Sequence, residues 1–247
     1  MNSRAKIHNF ICLPLPRITQ KFLIAILAKK FYIYISQLHI KEKPVSTPAN
    51  ITLFDSQGPL TGRWNKKMRE RGVAEEGKPN SFLKRHIHLF PPGRALDIAA
   101  GEGRNAVFLA EHGFDVEAID ISKMALRKAR ELARSRGVKI KTIIANLDFY
   151  PIEQGHYDLI TDFYFLDRRL IPVIKKGLKK GGKVIFETYL TANKSLGLRG
   201  PQNPVYLLKP NELLELFKGL RILFYREGIF KKGKSRKAIA SLIAEKT

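Results

Sequence analysis

From about residue 90 onward, strand-length apolar runs alternate with helix-length runs, and this alternation constrains the fold more than any other feature. The strand-length runs are "RALDIAA", "DVEAIDI", "KIKTIIANL", "YDLITDFYFL" and "KVIFETYL". Helices are expected between them, one ending at His112 and others over residues 122–136 and 167–180, with Ser122 as a cap and Gly137 and Gly181 as stops. The pattern indicates a parallel sheet covered by helices on both faces.

The C-terminal end departs from this alternation. A short predicted helix over residues 211–218 is followed by two strands, "RILFYREGIF" and "AIASLIAEK", with only the turn "KKGKSRK" between them. Strands joined this closely form an antiparallel hairpin. We therefore predict an α/β fold whose mostly parallel sheet ends in a C-terminal antiparallel hairpin.

The chain is strongly basic, with a formal net charge of +23 over 247 residues. Basic residues outnumber acidic residues by 16 to 5 over residues 1–90, by 22 to 15 over residues 91–225 and by 7 to 2 over residues 226–247. The surplus lies mostly at the two ends, where it attracts phosphate backbones, anionic membranes or anionic small molecules without distinguishing among them. The single cysteine, Cys12, excludes a disulfide framework and favours a cytoplasmic protein.

Residues 1–60 differ in composition from the rest, so we assign them to a basic N-terminal extension and residues 61–247 to the folded domain. The extension has no acidic residue before Glu42, and its longest uninterrupted apolar run covers residues 22–28. That run is too short for a membrane span, which needs about 20 residues. A disordered arm, an organellar leader, a membrane-surface helix and a misplaced start codon stay open as alternatives.

The segment "ALDIAAGEGRN" places a glycine-rich turn, Gly101-x-Gly103-x-x-Ala106, between the first predicted strand and the first helix. Such a turn lets a ligand approach the backbone, and its rival ligands are NAD(P) and S-adenosylmethionine. Asp97 and Glu102 lie beside it. Two like unit charges about 4 Å apart repel by roughly 4 kcal/mol at an effective dielectric near 20. The acids therefore disfavour a pyrophosphate and favour the cationic amino and sulfonium groups of S-adenosylmethionine.

The ends of the next two strands also agree with S-adenosylmethionine. Asp120 ends the second strand, 17 residues after Gly103, where its carboxylate can accept hydrogen bonds from both ribose hydroxyls. Asn146 and Leu147 end the third strand, where an amide and an apolar side chain can flank an adenine.

The motifs "LDIAAGEGRN", "VEAIDIS" and "ANL" resemble the first three motifs of class I S-adenosylmethionine-dependent methyltransferases. With "DFYFLDR", "GGKVIFETYL", "GPQNPVYLLKPNELLELF" and "FYREG", the chain resembles the tellurite-resistance type from about residue 64 onward. The resemblance implies a Rossmann-like sheet of seven strands and S-adenosylmethionine as the cofactor. One departure is Asn146, where many relatives carry aspartate. The cofactor-binding residues then expected are Asp97, Ala99, Gly101, Gly103, Asp120, Ile121, Asn146, Leu147 and Phe163.

The fourth strand leads to the expected methyl-transfer site, because open parallel sheets bind ligands at the topological switch point. The candidate catalytic residues there are Asp162, as a base, and Tyr164, as an aromatic face against the methyl group. The candidate substrate residues are Arg168, Glu187 and Tyr189.

Other positions near the predicted site are weaker candidates. Trp64 and Lys78 could cover the cofactor, and "GPQNPVYLL" is either a closing loop or a plain connection. Arg104 and Asn105 could each simply be exposed on the first turn of the helix, so they are left out of the site. The six histidines show no metal-ligand spacing, so no metal site is predicted.

These residues predict a methyltransferase that acts on a small, anionic or softly nucleophilic substrate. An RNA methyltransferase is the alternative, because basic ends bind phosphate backbones. No Asn/Asp-Pro-Pro-aromatic element follows the fourth strand, and Cys12 is far from the site in sequence, which disfavours the familiar base methylations. A non-catalytic nucleotide-binding module is the third hypothesis. The sequence leaves the substrate and the oligomeric state open.

Overall fold

The strands of the computed structural model form one sheet that ends in an antiparallel hairpin, as predicted. The structure describes residues 50–53, 77–198, 200–232 and 235–247. The strands are β1 (Asn50–Leu53), β2 (Arg94–Ile98), β3 (Asp115–Asp120), β4 (Lys141–Ala145), β5 (Tyr157–Phe163), β6 (Leu178–Tyr189), β7 (Arg221–Lys232) and β8 (Ser235–Glu245). The helices are α1 (Ser81–His86), α2 (Arg104–Glu111), α3 (Lys123–Ser135), α4 (Ile171–Gly177), α5 (Ala192–Ser195) and α6 (Glu212–Leu216).

The order of strands across the sheet is β1-β4-β3-β2-β5-β6-β8-β7. Strand β8 runs antiparallel to both β6 and β7, and the other neighbours are parallel. The seven strands predicted after residue 90 are therefore confirmed. Strand β1 adds an eighth at the β4 edge, and it lies inside the segment assigned to the N-terminal extension. The rest of residues 1–60 lies outside the described residues, so the boundary at residue 60 stays a prediction.

The central strands are apolar on both faces, as expected of parallel strands covered by helices. Six of the seven residues of β5 are buried, and so are four of the five of β2. Alternation along the strands sends Leu96 and Ile160 into one apolar cluster and Ala95 and Leu159 into the other. The order of connections reverses between β2 and β5, which places the topological switch point at their carboxyl ends.

Helix α3 shows how local sequence sets the boundaries. The Ser122 hydroxyl accepts a hydrogen bond from the Ala125 N–H at 3.2 Å, which confirms the predicted cap. Residues Ala125, Ala129 and Ala133 form part of its buried face. Gly137 follows the helix with φ of 69°, the left-handed conformation in which helices commonly end.

Two boundaries predicted after residue 166 are wrong. The helix expected over residues 167–180 is a 3-10 turn, Arg168–Leu170, followed by α4, which ends at Gly177. Leu178 turns extended and is fully buried, so β6 begins there and Gly181 lies within the strand. Most of the predicted turn at residues 231–237 is also paired, because β7 extends to Lys232 and β8 begins at Ser235.

Among the described residues, none of the helices has the length and the apolar character that a membrane span requires.

Candidate active site

The turn at residues 99–103 joins β2 to α2 and uses its two glycines differently. Both have positive φ, 58° at Gly101 and 77° at Gly103. A Cβ at Gly103 would lie 2.5 Å from the Cβ of Ala129, so this glycine lets α3 pack against the turn. A Cβ at Gly101 would meet no atom within 4 Å. The open side of the turn is therefore at Gly101.

Ala99 also has a left-handed backbone, with φ of 50°. This conformation costs a non-glycine residue roughly 1–2 kcal/mol. The next residue, Ala100, donates its N–H to the Ile119 carbonyl at 2.9 Å, which ties the turn to β3. Backbone strain of this kind concentrates at functional sites. Ala99 and Leu147 both pack, half-buried, against the same apolar cluster.

Asp120 holds the turn from the end of β3. Its Oδ2 accepts a hydrogen bond from the Gly101 N–H, and its Oδ1 accepts one from the Ser122 N–H, each at 2.8 Å. Burial raises the pKa of Asp120, and the Ser122 and Gly101 N–H groups oppose that shift. Each carboxylate oxygen has a second lone pair, so the side chain can accept further hydrogen bonds. The adjoining predicted residue, Ile121, is half-buried.

Asp97 is buried at the end of β2 with one oxygen unsatisfied. Its Oδ1 accepts a hydrogen bond from the Thr161 hydroxyl at 2.6 Å, whereas its Oδ2 has no hydrogen-bond partner among the described residues. Burial raises the pKa of Asp97 to about 7, against the opposing effects of Thr161 and the Arg104 charge. Glu102 is different, because the Lys128 ammonium lies 2.6 Å from its Oε1. The repulsion of a pyrophosphate therefore depends mainly on Asp97 and Asp120.

Asn146 lies just beyond β4, where its side-chain oxygen accepts the Asp148 N–H at 3.0 Å. This contact makes Asn146 part of a local turn and uses its oxygen, while its amide hydrogens are not part of that turn. Contact of Asn146 and Leu147 with adenine stays a prediction.

Asp162 and Phe163 end β5 on opposite faces of the sheet. Asp162 is paired in register with Ile98 and Phe186, and Phe163 with Glu187. Asp162 is buried, and its Oδ1 has no hydrogen-bond partner in the described part of the chain. Burial and then the charge of Asp97 raise the pKa of Asp162 well above its usual range.

Tyr164 leaves β5 in a strained conformation and is bound to β6 twice. Its φ is 64°, its N–H donates to the Glu187 carbonyl at 2.7 Å, and its hydroxyl donates to Glu187 Oε1 at 2.7 Å. Burial and the Glu187 carboxylate raise the pKa of Tyr164 above its usual range. The phenol therefore keeps its proton and offers only oxygen lone pairs to another group.

Glu187 is the centre of a buried polar network that the sequence did not reveal. Besides Tyr164, it accepts hydrogen bonds from Asn80 Nδ2 at 3.0 Å and from the Ser241 hydroxyl at 2.8 Å. Arg226 Nη2 lies 3.7 Å from its Oε2. Four elements or their flanks thus converge on one carboxylate, which explains how a charged side chain is tolerated in the interior.

Asn105, which was left out of the site because it could be exposed, is buried. Its Oδ1 accepts the Asn80 N–H at 2.8 Å, and Asn80 caps α1 through the Phe82 N–H at 2.7 Å. The start of α2 is therefore linked to Glu187 through Asn80. A single sequence gives no sign of this link, because Asn80 and Glu187 are 107 residues apart.

Tyr189 lies beside Tyr164, with the ring centroids 5.0 Å apart. The Lys237 ammonium of β8 is 4.7 Å from the Tyr164 ring centroid and 5.9 Å from that of Tyr189. We call Tyr164, Glu187, Tyr189, Arg226 and Lys237 the hairpin side of the site. We call Asp97, residues 99–103 and Asp120 the turn side.

Arg168 is engaged by a loop. Its Nε and Nη2 bind the two oxygens of Glu212 at 2.6 and 3.0 Å, and its guanidinium donates to the carbonyls of Val205 and Leu207. This clamp anchors the segment "GPQNPVYLL" to the end of β5. The predicted substrate role of Arg168 stays a prediction.

Trp64 and Lys78 are the two upstream residues that could cover the cofactor. Lys78 is exposed, and Trp64 lies outside the described residues.

A cavity of about 330 Å³ lies at the opposite end of the sheet, where the strands begin. Glu117 in its lining accepts hydrogen bonds from both the Lys141 ammonium and the Tyr157 hydroxyl at 2.7 Å. Ligands of open parallel sheets bind at the carboxyl ends of the strands, so we place the site at the switch point.

Comparison with known proteins identifies the domain built around this switch point. Residues 95–182 match the model of a family described as a methyltransferase domain. Residues 95–182 carry a methyltransferase domain, and the sheet around them has the fold of class I S-adenosylmethionine-dependent methyltransferases. This confirms the class and the cofactor predicted from the motifs.

The relatives agree with this assignment. The chain is 26% identical over 145 residues to the probable S-adenosyl-L-methionine-dependent methyltransferase TehB of Haemophilus influenzae, covering 57% of this chain and 50% of that protein. It is 33% identical over 119 residues to a ribosomal RNA small subunit methyltransferase C of Alcanivorax borkumensis, covering 44% and 35%. The chain thus spans about half or less of the length of these curated relatives.

The crystal structure of Haemophilus influenzae TehB has the same fold. It superposes with a TM-score of 0.59 at 20% sequence identity, covering 74% of this chain and 66% of that chain. The predicted methyltransferase architecture is therefore confirmed at the level of the fold.

The turn side fits S-adenosylmethionine on three observations. The Asp97 Oδ2 is a buried acceptor with no partner among the described residues, which suits a cationic donor. The space over Gly101 is open. Asp120 has lone pairs to spare for hydroxyl donors.

Proposed function

We propose that this chain transfers a methyl group from S-adenosylmethionine to a small acceptor that is anionic or a soft nucleophile. The observation that carries the proposal is the opposition of charge across the switch point. The buried Asp97 and the half-buried Asp120 line the turn side, and an ammonium near two aromatic rings lies on the hairpin side. A cationic cofactor and an anionic acceptor match these two sides.

On the turn side, the chain's residues would bind and orient the cofactor. Asp120 would accept the ribose hydroxyls, Asp97 the amino group, and Asn146 and Leu147 would flank the adenine. When bound, S-adenosylmethionine supplies an electrophilic methyl group on a positively charged sulfur. Positioning contributes most of the catalysis in such a displacement, because the reacting atoms must be in line.

Tyr164 on the hairpin side and Asp162 at the end of β5 have different proton states available. Tyr164 holds its proton toward Glu187, so its ring and oxygen lone pairs can contact an acceptor without donating a proton. An anionic acceptor needs no base. A neutral hydroxyl or amine does, and Asp162, with its raised pKa and unpartnered oxygen, is the candidate to take that proton.

The experiment is a labelled-methyl transfer assay with purified full-length chain. The acceptors are small thiols, selenite, tellurite and bulk RNA, each with S-adenosylmethionine carrying a labelled methyl group. We expect label in at least one anionic or soft small acceptor. Label only in RNA would overturn the choice of substrate, and tight NADH binding with no heat from S-adenosylmethionine would overturn the methyltransferase proposal itself.

RNA is the second candidate substrate, favoured by the net charge of +23 and the likeness to the ribosomal RNA methyltransferase. Binding through phosphate contacts weakens steeply with salt. A gel-shift or anisotropy titration at low and high salt tests this directly. A strongly salt-dependent complex together with methyl transfer to RNA would support RNA as the substrate, whereas salt-independent binding would remove it.

A further inference from the structure

Asn80, the N-cap of α1, shares one oxygen atom of Glu187 with Tyr164. The residue is buried, and its Nδ2 donates a hydrogen bond to Glu187 Oε1 at 3.0 Å. Tyr164 donates its hydroxyl hydrogen to the same oxygen at 2.7 Å. A carboxylate oxygen has two lone pairs, so these two donors together saturate Oε1. Asn80 and Tyr164 therefore set the position of one atom jointly.

Three further hydrogen bonds fix Asn80 itself. Its N–H donates to Asn105 Oδ1 at 2.8 Å, and its Oδ1 accepts the Phe82 N–H at 2.7 Å. Its carbonyl accepts the Lys84 N–H at 2.9 Å. Rotation of the amide away from Glu187 would break the cap of α1, so Asn80 is a rigid donor.

The helix that carries Asn80 is packed on the hairpin. The Phe82 ring centroid lies 5.2 Å from that of Phe224 on β7. The Arg226 guanidinium carbon lies 5.4 Å from the Phe82 centroid, within the range of a cation–π attraction, and its Nη2 is 3.7 Å from Glu187 Oε2. The start of α1 and strand β7 therefore approach Glu187 as one packed unit.

Tyr164 depends on Glu187 for its orientation. Its N–H donates to the Glu187 carbonyl and its hydroxyl to the Glu187 side chain, so both ends of the residue are held by β6. Its φ of 64° is a strained conformation that persists when the surroundings enforce it. A shift of Oε1 would therefore move the phenol end of the ring.

We propose that Asn80 is a positioning residue for methyl transfer, because by holding Glu187 Oε1 it fixes the Tyr164 ring beside the transferred methyl group. This inference rests on the proposed function, in which Tyr164 offers that aromatic face. Asn80 acts through Glu187 and needs no contact with the substrate. Its loss should therefore lower kcat more than it changes KM or the affinity for the cofactor.

Asn80→Ser removes the contact and keeps the cap. A serine hydroxyl can accept the Phe82 N–H but is too short to reach Glu187, and the backbone N–H that binds Asn105 is retained. With 3-mercaptopropionate as the acceptor in the labelled-methyl assay, kcat should fall about tenfold. KM, and the affinity for S-adenosylhomocysteine by calorimetry, should change by less than about twofold.

Asn80→Asp should show a loss of activity that acid reverses. The introduced carboxylate keeps the cap and repels Glu187 when ionised, whereas its protonated form can donate to Oε1 again. Like charges in contact raise the pKa of such a pair, so kcat relative to the unmodified chain should rise as pH falls from about 8 to about 5. Tyr164, whose pKa is raised, and Arg226 keep their protons over this range. Groups common to both proteins, Asp97 among them, cancel in the ratio.

Ser81→Asp is the matched control for the added charge. Ser81 is the exposed neighbour of Asn80 in the first turn of α1. The variant should keep the kcat and the pH profile of the unmodified chain. An equal loss in Ser81→Asp and Asn80→Asp would overturn the inference, because charge on α1 and not the contact with Glu187 would then set turnover.

A double-mutant cycle tests the inference without turnover. Urea midpoints are compared for Asn80→Ser, Tyr164→Phe and the double variant. If Asn80 positions Tyr164, the shift in the double variant should be smaller than the sum of the two single shifts. Additive shifts, or an unchanged kcat in Asn80→Ser, would overturn the inference. Failure of the unmodified chain to methylate any small acceptor would count against the proposed function instead, and the cycle would then decide whether Asn80 holds Tyr164.

Discussion

The turn side and the hairpin side of the site differ in charge and in how their charges are satisfied. On the turn side, Asp97 is buried with one oxygen that has no partner among the described residues, and Asp120 accepts hydrogen bonds from the Gly101 and Ser122 N–H groups. On the hairpin side, Glu187 is satisfied by several side chains, and the ammonium of Lys237 lies over two rings. The difference indicates a division of tasks, with a cation bound on the turn side and an anion on the hairpin side.

The largest expected effect is a loss of folding stability that should differ between the two glycines of the turn side. Gly103→Ala should destabilise the fold by roughly 3 kcal/mol, because a Cβ there adds a clash with Ala129 to the cost of a positive φ. Gly101→Ala should cost only about 1–2 kcal/mol, since it has space, but it should weaken S-adenosylmethionine binding. Urea unfolding and calorimetric titration measure the two quantities. Equal loss of stability in both variants would contradict the separate roles.

The next largest effect is a loss of stability and turnover on substitution of Glu187, on the hairpin side alone. Glu187→Gln should lower the free energy of unfolding by roughly 2–3 kcal/mol, because the amide cannot accept from every donor now bound and leaves Arg226 uncompensated. Affinity for S-adenosylmethionine should be unchanged in the folded variant, while turnover falls. Tyr164→Phe is the milder control, losing one hydrogen bond of about 1 kcal/mol. A loss of cofactor affinity in Glu187→Gln would show that the two sides are not independent.

The raised pKa of Asp97 predicts that the free energy of unfolding depends on pH, which tests the turn side separately. The pKa of Asp97 is about 7 in the fold against an ordinary value of 3.8, so the folded protein binds a proton in that window that the unfolded chain has released. The free energy of unfolding therefore falls as pH rises from about 4 to 7. Asp97→Asn should make this fall smaller, and the variant should be more stable than the unmodified chain at pH 8; the raised pKa values of Asp162 and Asp120 account for the part of the fall that stays.

Cofactor binding should show the opposite trend at Asp97. A cationic group near Oδ2 favours the ionised carboxylate, so affinity for S-adenosylmethionine should rise with pH through about 7 in the unmodified chain. Asp97→Asn should lose about tenfold in affinity at pH 8 and show no such rise. Calorimetry across this pH range measures both, and an identical pH profile in the two proteins would exclude Asp97 from cofactor binding.

The smallest expected effect is a gain. Ala99→Gly should relieve the strain of a φ of 50°, a relief of about 1 kcal/mol that the entropy of glycine in the unfolded chain partly offsets. Ala100→Gly is the control, since it has no such strain to relieve and should destabilise by about 0.5–1 kcal/mol. Denaturant midpoints compare them, and equal destabilisation would mean that Ala99 is not strained.

The range of the contacts explains which parts of the molecule the sequence could predict. Gly101 and Asp120 are 19 residues apart and lie at the ends of neighbouring strands, so strand and turn patterns were enough to bring them together. Glu187 instead meets partners 54 and 107 residues away in sequence. Spacing gives no signal for such contacts, and Asn80, Arg226, Ser241 and Lys237 were missed for that reason.

Errors in the predicted fold have a similar cause. Gly181 was a plausible helix stop by its position after a lysine-rich run, but the burial of Leu178 against the core ends α4 earlier. Tertiary packing there overrides the local signal. Asn105 was left out of the site for the same reason, because only the fold shows that its side chain accepts a hydrogen bond from the Asn80 N–H.

The most direct test of the account is the affinity of Asp120→Ala for S-adenosylmethionine, measured by calorimetry beside Asp115→Ala, an exposed residue at the start of the same strand. Asp120 is the carboxylate that we expect both to hold the Gly101 N–H and to bind the ribose. The account predicts a loss of about 100-fold or more for Asp120→Ala and none for Asp115→Ala. Unchanged affinity in a folded Asp120→Ala variant would contradict the placement of the cofactor on the turn side.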